Sequence, residues 1–146
     1  MNVFRRLFAR SSPRVGLYVD GPNVLREEFD VDLDELRDVA EQEGRLVTAA
    51  LYLDEHATPA LIQAGEARGF DVITTSGDVD VRLAVDATAA AIDEQISILV
   101  IVSRDTDFKP VLERAAKNGL ETVAIAPGEY GSSDALRNTA HRSLTL

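Results

Sequence analysis

The sequence contains no cysteine, only two histidines and no long apolar run. The lack of cysteine excludes disulfides, thiolate metal sites and cysteine nucleophiles. No stretch is long enough to cross a bilayer as a helix, and the first residues lack the apolar segment of a secretory signal. We therefore expect a cytoplasmic protein without a membrane partner.

Basic residues are also scarce relative to acidic ones. The 15 Lys and Arg face 25 Asp and Glu, which gives a formal net charge of -10. A negative field of this size opposes the simple attraction of nucleic acid. Divalent cations on a carboxylate cluster would neutralise part of it, and high salt would screen the long-range repulsion. Either effect would reconcile the acidity with a nucleic-acid substrate.

The apolar residues that are present, 45% of 146, suffice for one compact domain. Residues 1–13 are basic and end in Ser-Ser-Pro. We interpret them as an N-terminal tail that is either frayed or an arm that contacts RNA or a partner. Residues 14–146 are predicted to form the single domain.

Strands and helices alternate along this domain. The predicted strands are 15–20, 46–53, 71–75, 96–103 and 120–126, the predicted helices are 32–44, 59–69, 81–94, 106–118 and 132–141, and 144–146 is an edge strand or a tail. Near-continuous Val, Ile and Leu runs between helices predict an α/β fold, a Rossmann-like doubly wound three-layer sandwich with a mainly parallel sheet. In such sheets ligands bind beyond the carboxyl ends of the strands.

Three of the predicted strand ends carry aspartates. They are Asp20 in VDGPNV, Asp78, Asp80 and Asp86 in DVDVRLAVDA, and Asp105 and Asp107 in SRDTDF. An aspartate before a helix is also a favoured N-cap. Three acidic turns at one sheet edge favour a divalent cation, because clustered carboxylates repel one another and oxygen ligands suit Mg²⁺ or Mn²⁺. Neither His56 nor His141 lies in these turns, which argues against zinc.

Together, the three segments resemble the NYN domain, a branch of the PIN-like nuclease superfamily, and in particular its LabA-like group. That group has motifs like DGxN, KGVDVxLAVDA and SGDSDF, in the same order and at similar spacing, and the closing SSDALRNTAHRSLTL is also similar. The resemblance covers about residues 14–145. It implies a hydrolase that cuts RNA phosphodiester bonds with Mg²⁺ or Mn²⁺. The sequence departs from the family's motifs in two places. The motif lysine is missing, because its position falls near Gly77 or Asp78, and Arg104 stands where the motif has a glycine.

The same resemblance implies roles for individual residues. The catalytic and metal-binding set is Asp20, Asp80, Asp105 and Asp107, and the supporting set is Asn23, Asp86, Ser103 and Thr106. Arg104 and Lys109 lie close to the motifs and are the candidate substrate-binding residues, while we interpret Arg26 and Arg82 as solvated surface charges.

Several alternatives stay open from the sequence. Asp86 lies within an apolar helix, where it could pair with a buried Ser, Thr or Lys or touch the metal site from outside. Tyr18 and Phe108 are expected in the core, so no platform for base stacking is predicted and sequence specificity should be weak. The expected partner is single-stranded RNA, and a homodimer is compatible with the sequence. The alternative function is a non-catalytic regulator or scaffold that binds metal, nucleotide or a protein.

Overall fold

One sheet of six parallel strands organises the protein. The computed structural model describes residues 12–26, 29–128 and 134–146, so most of the predicted basic tail and the predicted start of the last helix lie outside the described residues. The strand order is β3-β2-β1-β4-β5-β6. The strands are β1 (Arg14–Asp20), β2 (Arg45–Asp54), β3 (Asp71–Thr75), β4 (Ile98–Val102), β5 (Glu121–Ala126) and β6 (Arg142–Thr145).

Helices connect the strands within the described ranges. They are α1 (Gly21–Val24), α2 (Leu33–Glu41), α3 (Pro59–Ala67), α4 (Val79–Ile92), α5 (Lys109–Lys117), which follows a 3₁₀ turn (Thr106–Phe108), and α6 (Asp134–Thr139). None of these helices is both long and apolar enough to cross a membrane. The segment 144–146, predicted as an edge strand or a tail, contributes to the edge strand β6.

Two apolar cores lie on opposite faces of the sheet. Because side chains alternate along a strand, Leu17 of β1 points to the core shared with Leu36 of α2. Tyr18 of the same strand points to the core shared with Leu83 of α4 and Leu112 of α5. The result is the predicted three-layer sandwich.

The strand order reverses beside β1. The chain runs outward from β1 to β3 and then returns to the other side of β1 as β4. This reversal creates a crevice at the carboxyl ends of β1 and β4, which is where open α/β sheets bind ligands.

Helix α4 begins earlier than predicted and thereby places Asp80 in its first turn. We predicted 81–94, but the helix spans Val79–Ile92 and Asp78 is the residue before it. It ends before Glu94, whose backbone is left-handed, with a φ of 58°. Asp80 is thus a helical residue at the end of α4 that faces the crevice.

Candidate metal centre

An open cleft of about 270 Å³ lies at the carboxyl ends of the central strands. Its lining residues are Asp20, Pro22, Asn23, Arg26, Asp54, Gly77, Asp78, Val79, Asp80 and Asp105. Half of them are aspartates and one is basic. The cleft therefore has a strongly negative lining.

Asp20 lies at the bottom of this lining. It is the last residue of β1 and is only 4% exposed. Burial is the largest cause that raises its pKa, to about 6, and the charges of Asp105 and Asp80 raise it further. Hydrogen bonds from the Ser103 hydroxyl and the Asn23 backbone oppose this rise. Asp20 is thus a carboxylate whose ionisation is disfavoured by its own surroundings.

Ser103 and Asn23 tie the turn after β1 to the turn after β4. The buried Ser103 hydroxyl donates to Asp20 Oδ2 (2.9 Å) and accepts from the backbone N–H of Asp105 (3.0 Å). Asn23 Oδ1 accepts from the backbone N–H of Arg104 (2.7 Å). Both side chains therefore hold carboxylate-bearing turns together, which is a role compatible with the predicted support.

Three carboxylates converge beside the cleft, and two of them, Asp80 and Asp105, belong to its lining. Asp80, Asp105 and Asp107 each offer an oxygen, and these atoms lie within 4.8 Å of one another. Two of the three also accept from backbone: Asp80 Oδ1 from Val81 N–H (3.0 Å), and Asp105 Oδ1, as the N-cap of the 3₁₀ turn, from Asp107 N–H (2.9 Å). Each of these two carboxylates has a second oxygen, so these backbone bonds, including the cap made by Asp105, are compatible with binding of a metal ion.

The chemistry of this donor set fits a hard divalent cation. All of its atoms are carboxylate oxygens, which Mg²⁺ and Mn²⁺ prefer over the nitrogen and sulfur ligands of softer metals. Asp20 carries a raised pKa partly because Asp105 and Asp80 repel its charge. A cation among these groups would relieve that repulsion.

Asp86 lies apart from the cleft lining. Its Oδ2 accepts from the hydroxyl of Tyr52 (2.8 Å) and from Arg82 Nε (3.1 Å). The partner from the sheet is thus a tyrosine and not the Ser, Thr or Lys considered from the sequence. Burial of Tyr52, followed by its hydrogen bond to Asp86, raises the pKa of the tyrosine well above its usual range.

The other predicted residues lie between the end of β4 and the start of α5. Thr106 is exposed at the start of the 3₁₀ turn. The guanidinium carbon of Arg104 lies 4.5 Å from the centre of the Phe29 ring. Lys109 pairs with Glu113 at 3.9 Å. Neither Arg104 nor Lys109 belongs to the cleft lining.

Asp54, which was not among the predicted site residues, lines the cleft from the end of β2. Its Oδ1 accepts from the backbone N–H of His56 (2.9 Å). The sequence contained a signal for this position, because Asp54 ends a strand just as Asp20 does. Arg26, interpreted as a surface charge, also lines the cleft and donates through Nε to the carbonyl of Pro22 (3.4 Å).

Comparison with known proteins gives a family and a fold. Residues 14–146 match the sequence profile of the NYN domain. An uncharacterized protein from Methanocaldococcus jannaschii is 41% identical over 127 residues, which is 87% of this chain and 52% of that protein. The chain thus spans about half the length of this curated relative. A crystal structure of a protein of unknown function from Vibrio parahaemolyticus has the same fold, with a TM-score of 0.79 and 23% identity over 92% of this chain and 93% of that chain.

Proposed function

This chain belongs to the NYN domain family, and on that premise we propose that it is a metal-dependent ribonuclease that hydrolyses RNA phosphodiester bonds. NYN domains share the PIN-like nuclease fold and are generally hydrolases. The observation that carries the proposal is the convergence of Asp80, Asp105 and Asp107 within 4.8 Å, because Asp80 and Asp105 also line the cleft that contains the buried Asp20.

The proposed cofactor is Mg²⁺ or Mn²⁺, held by Asp80, Asp105 and Asp107 together with Asp20. When bound, such an ion makes water more acidic and stabilises the negative charge that develops as a phosphodiester is cleaved. This chemistry needs no nucleophilic side chain from the protein.

The protein's own residues supply preorganisation. The Ser103 hydroxyl directs Asp20 toward the cleft, and Asn23 holds the backbone of the turn that carries Asp105. Because these bonds exist before substrate arrives, the carboxylates need little rearrangement to act. Asp20 must be ionised to serve as a ligand, so its raised pKa should reduce activity under acidic conditions.

We propose single-stranded RNA as the substrate. The cleft is open, which suits a flexible strand better than a rigid duplex. Tyr18 is buried beneath it and Phe108 is fully buried, so neither ring can stack on a base. These features support cleavage with weak sequence preference.

A non-catalytic regulator or scaffold is the second candidate function. Five aspartates and a single arginine line the cleft, which makes it unfavourable for a phosphate unless cations are bound. Such a protein would bind the metal ion, a nucleotide or a protein partner without cleaving RNA.

The proposal is tested with a 5′-labelled single-stranded RNA in Mg²⁺, Mn²⁺ or EDTA. We expect cleavage only with a divalent ion. Asp105→Asn should lose activity by more than the roughly 10–100-fold cost of removing an outer partner of a metal ligand. The matched control is Asp93→Asn, which alters an exposed aspartate at the opposite end of α4 and should cleave like the wild type.

Two results would contradict the ribonuclease proposal. One is cleavage that persists in EDTA or in Asp105→Asn, which would indicate a contaminating nuclease. The other is saturable Mn²⁺ binding to the wild type without any cleavage, which would favour the regulator.

A further inference from the structure

Arg82 is linked to the core of the sheet through two hydrogen bonds. Its Nε donates to Asp86 Oδ2 (3.1 Å), and the Tyr52 hydroxyl donates to the same oxygen (2.8 Å). Tyr52 is completely buried. An exposed ion pair between residues four apart on a helix is usually weak and mobile. Here the buried hydroxyl fixes Asp86, and Asp86 in turn restricts the guanidinium.

The rest of the guanidinium is available. Within the described residues, the bond from Nε to Asp86 is the only hydrogen bond of the Arg82 guanidinium. The Arg82 side chain is 52% exposed. The two terminal nitrogens carry four N–H donors in a planar fork. Such a fork matches a phosphate geometrically, and holding it through Nε lowers the entropy lost on binding.

The position of Arg82 is next to the acidic cleft. It lines a surface depression of about 420 Å³ together with Thr75, Ser76, Gly77, Asp78, Val81 and Val85. Gly77 and Asp78 also line the cleft, so the two concave surfaces are continuous. A β-carbon at Gly77 would meet no atom within 4 Å, which shows that the backbone there is open.

We infer that Arg82 binds a phosphate of the RNA strand that leaves the cleft, and that Tyr52 and Asp86 are positioning residues for its guanidinium. The inference rests on the proposed function, since it assigns that function's substrate a second contact. Among the described residues that line the depression, Arg82 is the only cation. It would offset locally the repulsion between the aspartates and the strand.

The first test compares Arg82→Gln with Arg45→Gln. Arg45 is exposed at the amino end of β2, at the edge of the sheet opposite the cleft, so its loss changes net charge equally. Arg82→Gln should raise KM for single-stranded RNA about tenfold, as expected for an exposed charge-assisted contact. Its kcat should stay within about twofold, because a remote phosphate is held equally in ground and transition states. Mn²⁺ affinity should not change.

Salt dependence gives a second readout, because a phosphate contact releases counterions. The slope of log Kd against log salt is measured by fluorescence anisotropy in EDTA. In Arg82→Gln this slope should be smaller than the wild-type slope by about 0.7. It should be unchanged in Arg45→Gln.

The positioning role is tested with Tyr52→Phe, which removes only the hydroxyl. This variant should raise KM severalfold in the wild-type background and add nothing in the Arg82→Gln background, because the hydroxyl acts through Arg82. A general loss of stability would instead lower the apparent kcat by the same factor in both backgrounds and leave KM unchanged.

The outcomes separate this inference from the proposed function. Equal KM and equal Kd for Arg82→Gln and Arg45→Gln in an active enzyme would overturn the inference alone. A wild type that binds RNA in EDTA but does not cleave it with Mg²⁺ or Mn²⁺ would overturn the nuclease proposal. In that case, weaker RNA binding by Arg82→Gln would still support the contact between Arg82 and a phosphate. Loss of Mn²⁺ binding in Arg82→Gln would show that Arg82 supports the metal centre instead.

Discussion

Asp20 shows the conflict between stability and function at the scale of one residue. Its carboxylate is almost fully removed from water, and its acidic neighbours Asp105 and Asp80 disfavour its charge. Ser103 and Asn23 reduce this cost without removing it. A side chain selected only for folding at this position would be neutral.

We therefore predict that Asp20→Asn stabilises the metal-free protein at neutral pH. The pKa of Asp20 is about 6 in the folded protein against 3.8 as its ordinary value. The folded state binds the proton more tightly, so stability falls as the pH rises through these values, and above about pH 6 the full cost is about 3 kcal/mol. Asparagine avoids this cost and can still accept from Ser103. Urea unfolding in EDTA should show a gain of about 1–3 kcal/mol at pH 7.5 that disappears toward pH 4.

The control is Asp93→Asn, whose stability should differ little from the wild type at both pH values, since Asp93 is exposed. A loss of stability in Asp20→Asn at pH 7.5 would contradict the prediction that ionised Asp20 destabilises the folded state.

At the scale of elements, the turn between β1 and α1 determines the position of Asp20. A β-carbon on Gly21 would overlap the carbonyl oxygen of Tyr52 and lie 2.6 Å from the Leu53 side chain. Glycine therefore allows this turn to pack closely on β2. In the register of the two strands Asp20 lies beside Tyr52, two residues before Asp54 at the end of β2.

We predict that Gly21→Ala destabilises the fold by about 1–3 kcal/mol, because the turn must move away from backbone atoms that cannot yield. The same movement displaces Asp20, so Mn²⁺ affinity should fall as well. Gly77→Ala is the matched control, since its β-carbon enters open space, and it should change stability by no more than about 0.5 kcal/mol. Urea unfolding and Mn²⁺ titration of both variants provide the comparison, and equal behaviour of the two would contradict it.

At the scale of the whole molecule, part of the chain's negative charge is concentrated in one cleft. The formal net charge is -10, and five aspartates from four parts of the chain line one cleft. They meet because the strand order reverses between β1 and β4. The folded state concentrates charge that the unfolded chain would disperse, so a ligand that neutralises the cleft should favour folding.

Mn²⁺ should accordingly raise the unfolding midpoint of the wild-type protein at pH 7.5. An ion present at a hundredfold excess over its Kd adds about 2.7 kcal/mol when it binds only the folded state. Calorimetry or fluorescence melting would measure the rise. NaCl at matched ionic strength should not reproduce it, and Asp105→Asn should reduce it. A similar rise in that variant would indicate diffuse ion binding outside the proposed centre.

The sequence by itself determined the class of fold, the approximate elements and the family. Strand and helix periodicity, caps and motif order are encoded over a few neighbouring residues, so they survive in a one-dimensional pattern. The structure and the family match confirm the sandwich and the NYN resemblance. The rule that ligands lie beyond strand ends also predicted that Asp20 and Asp105 share one edge, and both line the cleft.

Only the tertiary structure decided which side chains contact one another across the chain. Asp86 and Tyr52 are 34 positions apart, and no local pattern indicates that a buried hydroxyl in β2 meets a carboxylate in α4. Likewise, the order of strands beside β1 depends on how two helical layers cover the sheet. Such contacts depend on long-range packing, which couples all elements at once and leaves no periodic signal in the sequence.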